Sequence, residues 1–380
     1  MNILLVNWQD VENPQAGGAE IHLFEIFGRL AARGHRVRLV CSGWRGCEAR
    51  TEIQGIEIER VSGRYGFALR ARGAVRRALR RERPDVVVED VNKLPLGLPS
   101  LSDLPFCTMI PHLFGSTVFR ELPWPVAGMV WLAERTIPWA YRTTAFHAIS
   151  ESTRDDLVER GIDSARIRVI HPGVDTRLYA PLPGLDRARW PTFLYVGRLK
   201  RYKGVDVAIR ALALAHRVRR DISLDIAGSG DARAELEALA GNLGVREAVR
   251  FHGFVGEADK LRLLRTAWAN LFPSVKEGWG ITILEAGACG TPSLASNSPG
   301  LRDSVRDGVT GYLVPHGDPD ALARRMLELA EQPGLVSWLG QQARQHAETH
   351  SWERTAVATE QQLTDLLATH HSIAPPTRET

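Results

Sequence analysis

The stretch LFPSVKEGWGITILEAGACGTPSLASN occupies residues 271–297 and decides how the rest of the chain is interpreted. Its first apolar residues predict a strand that ends near Phe272, and a turn that contains glycine follows. A helix is expected from about residue 280 to residue 289, because Gly290 can then adopt the left-handed conformation that commonly ends helices. The stretch therefore predicts a strand, a loop and a helix in succession.

Two carboxylates lie in this unit, Glu277 in the loop and Glu285 in the helix, with seven residues between them. The first helical N–H groups, at Gly280, Ile281 and Thr282, have no acceptor inside the helix and form a site for an anion. Ionised carboxylates accept hydrogen bonds from hydroxyl groups. Together these groups predict a ligand in which a sugar is attached to a phosphate. The alternative is an amphipathic helix whose acids are incidental.

The pattern Glu-Gly-Trp-Gly-Ile-(x)3-Glu-Ala-(x)2-Cys-Gly-Thr-Pro resembles the signature of the family-four retaining glycosyltransferases. The resemblance covers nearly the whole chain, and Trp279 replaces the usual Phe between the two glycines. It implies that Glu285 holds the nucleotide ribose and that Glu277 lies beside the donor sugar. It also implies the GT-B architecture, same-face substitution at the sugar, and catalysis without a metal ion or other cofactor.

Composition indicates a soluble globular protein of two domains: 380 residues, 44% of them apolar and 24% charged. A net charge of +4 suits an anionic partner without identifying it. No apolar run approaches a membrane span, and residues 1–7 predict a short strand rather than a leader, so we expect a cytoplasmic protein. The four cysteines have no Cys-x-x-Cys spacing, so neither a zinc site nor a disulfide framework is expected.

Continuous apolar runs alternate with amphipathic segments, which indicates parallel sheets covered by helices on both faces. Strands are predicted for the first half at 3–6, 37–41, 86–89, 106–110 and 145–149, and for the second at 192–196, 222–227, 249–252, 269–272 and 291–295. A proline- and glycine-rich linker is expected at 180–186. The fold class is therefore α/β with two Rossmann-like domains, residues 1–180 and 190–351, whose ligands bind at the carboxyl ends of the strands in the cleft that the domains face. The resemblance implies that a last helix, at about 352–370, completes the first domain.

Paired glycines, Gly17 and Gly18, follow the first predicted strand and begin a helix that runs through Ala32. Glycines at a helix start let the backbone approach a ligand closely. A flexible turn is the alternative. The resemblance implies that this Gly-Gly-Ala-Glu loop meets the donor diphosphate and the acceptor.

Arg198 and Lys203 follow the first strand of the second domain. Two cations at the carboxyl end of a strand can converge on a diphosphate, the arginine through a bidentate fork and the lysine as a point charge. The alternative is a solvated basic loop. The resemblance implies that both side chains neutralise the leaving diphosphate.

Two further positions rest on the resemblance. His112 follows the strand 106–110 and matches the family histidine that hydrogen-bonds the donor sugar, although a single histidine is also compatible with a packing role. Val255, Glu257 and Lys260 lie where the family holds the nucleotide base. The sequence does not choose between uracil and guanine.

Residues 67–83 predict the most asymmetric helix of the chain, with a narrow apolar stripe of alanine, valine and leucine. The rest of its surface is basic, at Arg70, Arg72, Arg76, Arg77, Arg80, Arg81 and Arg83. One interpretation is a helix that packs on the sheet with a solvated basic face, and the other is a surface that docks on anionic lipid. No nucleic-acid-binding module accompanies it, so we expect no nucleic acid partner.

The segment 119–141 contains Trp124, Trp131 and Trp139, which are compatible with core packing, an acceptor pocket or a membrane interface.

The sequence thus predicts a retaining GT-B enzyme that moves a hexosyl or related unit from a UDP- or GDP-type donor to a glycan, lipid-linked or small-molecule acceptor. One alternative is an NAD-dependent oxidoreductase, but a full Gly-x-Gly-x-x-Gly pattern does not follow the first strand. The other is a non-catalytic module that binds a sugar nucleotide or a membrane, and Arg198, Lys203 and Glu277 argue against it.

Overall fold

The computed structural model describes residues 1–120 and 123–373. The strands are β1 (Asn2–Val6), β2 (Arg36–Gly43), β3 (Arg50–Ile53), β4 (Ile56–Gly63), β5 (Val86–Asp90), β6 (Phe106–Ile110), β7 (Ala145–Ala148), β8 (Ile167–Val169), β9 (Thr192–Val196), β10 (Ser223–Ala227), β11 (Val249–Gly253), β12 (Ala269–Phe272), β13 (Ser293–Ser296) and β14 (Gly311–Val314). The helices are α1 (Gly18–Ala32), α2 (Phe67–Glu82), α3 (Trp124–Arg135), α4 (Ile137–Ala140), α5 (Glu151–Glu159), α6 (Val205–Val218), α7 (Arg233–Asn242), α8 (Glu257–Thr266), α9 (Ile281–Ala288), α10 (Leu301–Ser304), α11 (Pro319–Glu331), α12 (Pro333–Glu348) and α13 (Trp352–Ile373).

The chain divides into two compact units, which we describe separately. The first unit comprises Met1–Pro172 together with the residues from Trp352 onward, and the second unit comprises Gly173–Ser351. Each unit contains one sheet with helices, as the α/β prediction requires.

The first sheet has the strand order β3-β4-β2-β1-β5-β6-β7-β8. Its neighbouring strands run parallel except β3 and β4, which form an antiparallel pair at one edge. Alternate residues of β1 point to opposite faces: Ile3 and Leu5 pack with α1 and α13, whereas Leu4 and Val6 pack with α2. Because both faces of the central strands are covered, these strands are apolar throughout.

The second sheet is parallel throughout, in the order β11-β10-β9-β12-β13-β14. Its main core packs β9 and β10 with α6 and α11 and includes Phe193, Ile209 and Met326. A smaller apolar cluster of Phe272, Ile283 and their neighbours lies where β12 meets α9. The carboxyl ends of β9 and β12, the strands that precede the predicted donor residues, are adjacent because these two strands pair.

The boundary between the units lies at residues 172 and 173 rather than in the predicted linker 180–186. The reason is that the segment from Gly173 onward is bound to the second unit: Val174 N–H donates to the His350 carbonyl, and Arg187 donates to the carbonyls of Ala267 and Gly290. Proline and glycine in this segment therefore mark an irregular segment that is hydrogen-bonded to the second unit and not a free linker.

The last helix, α13, packs on α1 within the first unit. Ala356 and Leu363 join the core of that unit, and Arg33 forms ion pairs with Glu353 and Glu360. Within the described residues, no helix combines the length and the apolar character needed to span a bilayer.

Candidate functional site

The strand, loop and helix predicted at residues 271–297 form in the second unit as β12, a loop and α9. Gly280 precedes α9 with a φ of 96°, and a β-carbon there would lie 3.0 Å from Ile283 Cδ1, so glycine suits both the backbone and the packing. The first-turn N–H groups, at Gly280, Ile281 and Thr282, have no acceptor within the helix. This end of α9 can therefore bind an anion.

The structure brings Lys203 and Glu277 into direct contact. Lys203 Nζ lies 2.6 Å from Glu277 Oε1, and the two side chains are only 12% and 14% exposed. Burial lowers the pKa of Lys203, but the Glu277 carboxylate outweighs this effect and the net pKa is raised. The lysine is therefore positively charged at neutral pH and is held in place by the carboxylate.

Arg198 lies close enough to Lys203 for its positive charge to oppose protonation of the lysine, a smaller influence on the lysine pKa than that of Glu277. Its side chain is exposed. Its carbonyl accepts a 2.9 Å hydrogen bond from the buried Tyr195 hydroxyl. The two cations are thus presented by one loop, at the carboxyl end of β9.

This cationic loop also lies against the loop that follows β12. Gly204 has a φ of 68°, and a β-carbon on it would come within 2.3 Å of the Pro273 carbonyl oxygen. Val275 N–H also donates to the Tyr202 carbonyl. The loop carrying Arg198 and Lys203 and the loop carrying Glu277 are therefore one packed assembly.

The second carboxylate of the signature, Glu285, is held by a different lysine. Lys260 Nζ lies 2.8 Å from Glu285 Oε1 and donates at 2.7 Å to the Tyr179 hydroxyl oxygen, and that hydroxyl in turn donates to Glu257. Glu285 is buried, and its Oε2 has no hydrogen-bond partner within the described residues. This unsatisfied oxygen can accept a hydrogen bond from a ligand hydroxyl.

Tyr179 is a member of this network that the sequence analysis did not identify. Burial, together with the carboxylates of Glu285 and Glu257, raises the pKa of its hydroxyl, so it stays protonated and can donate. Its partners lie 78 and 81 residues away in the chain. The sequence pattern around Tyr179 carried no signal of this contact.

The residues predicted near the base follow β11, in the loop to α8 and in the first turn of that helix. Val255 is half-buried in the connecting loop, and Glu257 and Lys260 are in the first turn of α8. Both side chains reach Tyr179, and Lys260 reaches Glu285 as well. The structure therefore connects these two residues with the predicted ribose carboxylate, and their contact with a base stays a prediction.

The predicted donor residues of the first unit lie at the carboxyl ends of its strands. Gly17 and Gly18 begin α1, where the Gly17 N–H donates to Glu20 Oε2 at 2.7 Å. Gly17 has an extended backbone (φ −151°), which any residue can adopt. His112 follows β6 and makes an edge contact with the ring of Phe114, with 5.1 Å between the ring centroids. The donor contacts of these three residues stay predictions.

The basic helix forms as α2, one residue shorter than the predicted 67–83. Its arginines fall into two groups. Arg72 donates to the carbonyls of Leu96 and Gly97, and Arg81 forms ion pairs with Glu59 and Glu82. The side chains of the second group have no ion pair or hydrogen bond within the described residues. This group comprises Arg70, Arg76, Arg77 and Arg80 of the helix and Arg83, which directly follows it.

The aromatic segment 119–141 includes Glu121 and Leu122, which lie outside the described residues. Trp131 is half-buried and packs against Phe119. Trp124 and Trp139 are 77% and 73% exposed. Core packing therefore does not account for these two tryptophans.

Within residues 1–120 and 123–373, no group of three or more side chains is arranged to hold a metal ion. That the reaction proceeds without a metal ion stays a prediction, because the arrangement of side chains does not test the reaction.

Comparison with known proteins gives a consistent assignment. A family described as Glycosyltransferase Family 4 matches residues 16–178, and a second, described as Glycosyl transferases group 1, matches residues 187–346. D-inositol 3-phosphate glycosyltransferase of Streptomyces scabiei is 35% identical over 225 residues, which cover 55% of this chain and 50% of the relative. The chain thus spans about half the length of the curated relatives that it matches.

Solved structures share the fold. Sucrose-phosphate synthase from Thermosynechococcus elongatus superposes with a TM-score of 0.84 at 22% identity, over 97% of this chain and 99% of that one. Anabaena HepE in complex with UDP-glucose superposes with a TM-score of 0.76 at 19% identity, over 97% and 100%. The architecture is therefore GT-B, as expected from the sequence. Since the two family matches together span most of the chain and agree with the signature at Glu277 and Glu285, this protein belongs to the family-four glycosyltransferases.

Proposed function

We propose that this protein is a retaining glycosyltransferase that moves a glycosyl unit from a nucleotide diphosphate sugar to an acceptor hydroxyl. The observation that carries the proposal is the assembly of Arg198, Lys203 and Glu277 beside the first turn of α9. It supplies positive charge and N–H donors in one place, with a carboxylate that fixes one of the cations. Developing negative charge on a departing diphosphate is what such a preorganised site stabilises.

The chemistry follows from where charge moves during transfer. As the bond between the sugar and the phosphate breaks, negative charge collects on the diphosphate and positive charge collects on the sugar ring. Arg198, Lys203 and the α9 N–H groups interact with the first charge. Glu277, which lies 2.6 Å from Lys203, can position the sugar. The departing phosphate takes the acceptor proton, and the cationic loop replaces the divalent ion that some transferases use.

Glu285 and its network are assigned to the nucleotide. Its unsatisfied Oε2 accepts a ribose hydroxyl, while Lys260 holds Oε1. The resemblance assigns further donor contacts to Gly17, Gly18 and His112 of the first unit, and base contacts to Val255, Glu257 and Lys260.

A donor panel tests the activity. Purified protein is offered UDP-glucose, GDP-mannose and NAD(H), with inositol 3-phosphate as one acceptor because the curated relatives carry that name. We expect release of UDP or GDP, a product whose anomeric configuration matches the donor by NMR, and unchanged rates in EDTA. Turnover of NAD(H) or inversion of the anomeric centre would refute the proposal. Binding of a nucleotide sugar without transfer to any acceptor would favour a non-catalytic module.

For the partner surface, we propose that the basic face at Arg70–Arg83 attracts an anionic membrane at the cytoplasmic side. Support comes from the arginines of α2 that lack ion pairs, since each charge near a bilayer contributes about 1 kcal/mol. Charge reversal at Arg76, Arg77 and Arg80 should reduce sedimentation with vesicles that contain phosphatidylglycerol. If the wild-type protein does not sediment with these vesicles, the surface is only a solvated basic face.

A further inference from the structure

A concave region lies in the first unit, at the end of the sheet opposite to Gly17 and His112. One cavity of about 510 Å³ is lined by Arg76 and Arg80 of α2, by Arg83 directly after this helix, and by residues 101–104. A second cavity of about 710 Å³ includes Trp139 and Arg142. The two cavities share Ser102, Asp103 and Leu104, so they form one groove, which we call the amino-edge groove.

The strands define where this groove lies. Phe106, the first residue of β6, lines the second cavity, whereas His112 follows the last residue of the same strand. The five residues of β6 are separated by four steps of about 3.3 Å each, so the two ends of the strand are roughly 13 Å apart. The amino-edge groove is therefore separate from the carboxyl-end residues that the family resemblance assigns to the donor.

The positive charges of the groove exceed its negative charges. The side chains of Arg76, Arg80, Arg83 and Arg142 form no ion pair or hydrogen bond within the described residues, and Asp103 is the single acid among the lining residues of the two cavities. Arg81, on the same helix, is paired with Glu59 and Glu82. Acidic partners thus lie beside Arg81, which does not line the groove. Arg76 and Arg80, which do line it, are one helical turn apart and repel each other.

The spacing of the arginines suits phosphate groups. Arg76 and Arg80 are four residues apart, which places their β-carbons about 6 Å from each other on one helix face. Arg83, which directly follows the helix with a φ of 46°, lines the same cavity. Arginine binds phosphate oxygens through its planar fork of N–H donors. The hydroxyls of Ser100, Ser102 and Thr143 also line the groove.

The walls of the amino-edge groove are held by hydrogen bonds and are partly apolar. Arg72 donates to the Leu96 and Gly97 carbonyls and, at 2.9 Å, to Ser100 Oγ, which holds the loop beside the groove. Trp139 is 73% exposed at the other end. A ligand with both a phosphate part and a ring or acyl part matches these two ends.

We propose that the amino-edge groove is a second anion site, which binds a ligand carrying two or more phosphate groups. Arg76, Arg80 and Arg83 contact the phosphates, and Trp139 lies against the less polar part of the ligand. The shared chemistry occurs in soluble polyphosphorylated compounds and in lipid headgroups. This site does not depend on the proposed transferase activity.

The experiment compares two double variants that lose the same charge from the same helix. Arg76→Gln with Arg80→Gln removes two groove arginines, whereas Arg70→Gln with Arg77→Gln removes two exposed arginines that do not line the groove. Binding of inorganic tripolyphosphate is measured by calorimetry, and binding of vesicles that contain cardiolipin, whose headgroup carries two phosphate groups, is measured by sedimentation. Any tripolyphosphate bound at Arg198 and Lys203 is retained equally by both variants, so the difference between them reports the groove.

The groove variant should bind tripolyphosphate, or the vesicles, about tenfold or more weakly than the control variant does, because only the groove variant loses charge-assisted hydrogen bonds to phosphate. Loss of general basic charge lowers vesicle binding equally in both variants. A difference with tripolyphosphate identifies a soluble phosphate ligand, and a difference with vesicles alone identifies a headgroup. Equal loss in both variants would mean a general basic surface, and that result or the absence of binding by either probe would overturn the proposal. Circular dichroism confirms that both variants are folded.

Discussion

Carboxylates in the two units are held in opposite ways. In the second unit, Glu277 and Glu285 each contact a lysine, at 2.6 and 2.8 Å. In the first unit, Glu89 and Asp90 at the end of β5 are buried without an ion pair in the described residues, and burial raises the pKa of Glu89 to about 7 and that of Asp90 well above its usual value. Glu277 and Glu285 are therefore each paired with a cation beside the predicted donor site, whereas burial favours the neutral forms of Glu89 and Asp90.

The strongest test of this contrast is Lys203→Ala. It removes a cation from the diphosphate site and leaves Glu277 without its partner, so we expect turnover to fall by about 10²–10³-fold, as when one transition-state donor is removed. Steady-state kinetics with the active donor measure the effect, and circular dichroism checks the fold.

Glu277→Gln is the matched control for Lys203→Ala. It leaves the lysine unopposed, so the free nucleotide should bind at least as tightly as to the wild type while transfer slows. If Lys203→Ala left turnover unchanged, the cationic loop would have no role in departure of the diphosphate.

Glu285→Ala is expected to act mainly on donor binding. It removes the unsatisfied Oε2 and leaves Lys260 without its carboxylate, and loss of a charged hydrogen bond costs about 1.5–3 kcal/mol. KM for the donor should rise by about 10–100-fold, with a smaller change in kcat. Glu285→Gln keeps an acceptor oxygen and should lose less. An unchanged KM in Glu285→Ala would remove the ribose assignment.

Several of these features could be predicted from the sequence, and the reason is physical. Strands buried on both faces are continuous apolar runs, so β6, β9 and β12 were predicted with their observed bounds. Glycines likewise marked the ends of α1 and α9, since Gly34 and Gly290 both have positive φ. Local patterns were sufficient wherever local burial or backbone geometry decided the structure.

Elements with mixed exposure were not predicted. Strand β3 alternates exposed with half-buried residues, β4 alternates buried with half-buried residues over most of its length, and their turn at Gln54 and Gly55 has positive φ at both residues. Strands β8 and β14 are only three and four residues long at sheet edges. Such short, partly exposed strands are fixed by pairing with distant strands rather than by their own composition.

The site shows the same limit. The glutamates, Arg198 and Lys203 could be identified because they lie in recognisable local patterns. The pairing of Lys203 with Glu277 joins residues 74 apart, and that of Lys260 with Glu285 joins residues 25 apart. Which cation meets which carboxylate depends on how the loops pack, and the sequence does not contain that information locally.

In the first unit, the contrast can be tested through the protonation of buried histidines instead of through ion pairs. His22 and His147 are buried with their rings 5.9 Å apart, and burial lowers their pKa values from 6.5 to about 3 and about 4, respectively. Because the folded pKa is depressed, the contribution to stability is complete above pH 6.5 and is lost as pH falls below it. At pH 5 the free energy of unfolding should be lower by about 2 kcal/mol for His22 alone.

Denaturant unfolding between pH 4 and pH 7.5 measures this dependence. In His22→Asn, the slope of unfolding free energy against pH should decrease by up to about 1.4 kcal/mol per pH unit. Even if the variant is less stable at every pH, the slope separates titration from packing. An unchanged slope would mean that His22 does not titrate on unfolding.

The smallest expected effect concerns Tyr179, and it tests whether Lys260 is held in place by Glu285 alone. Tyr179→Phe removes the hydroxyl that accepts from Lys260 and donates to Glu257, at a cost of about 0.5–1.5 kcal/mol for one hydrogen bond. If the hydroxyl positions Lys260, donor KM should rise by about 3–10-fold with kcat nearly unchanged. Tyr141→Phe is the matched change in the first unit, where the hydroxyl donates at 2.7 Å to Glu89. That variant should lose stability without a change in donor KM, because Glu89 is not paired with a lysine. Equal KM values for Tyr179→Phe and the wild type would show that Lys260 keeps its place through Glu285 alone.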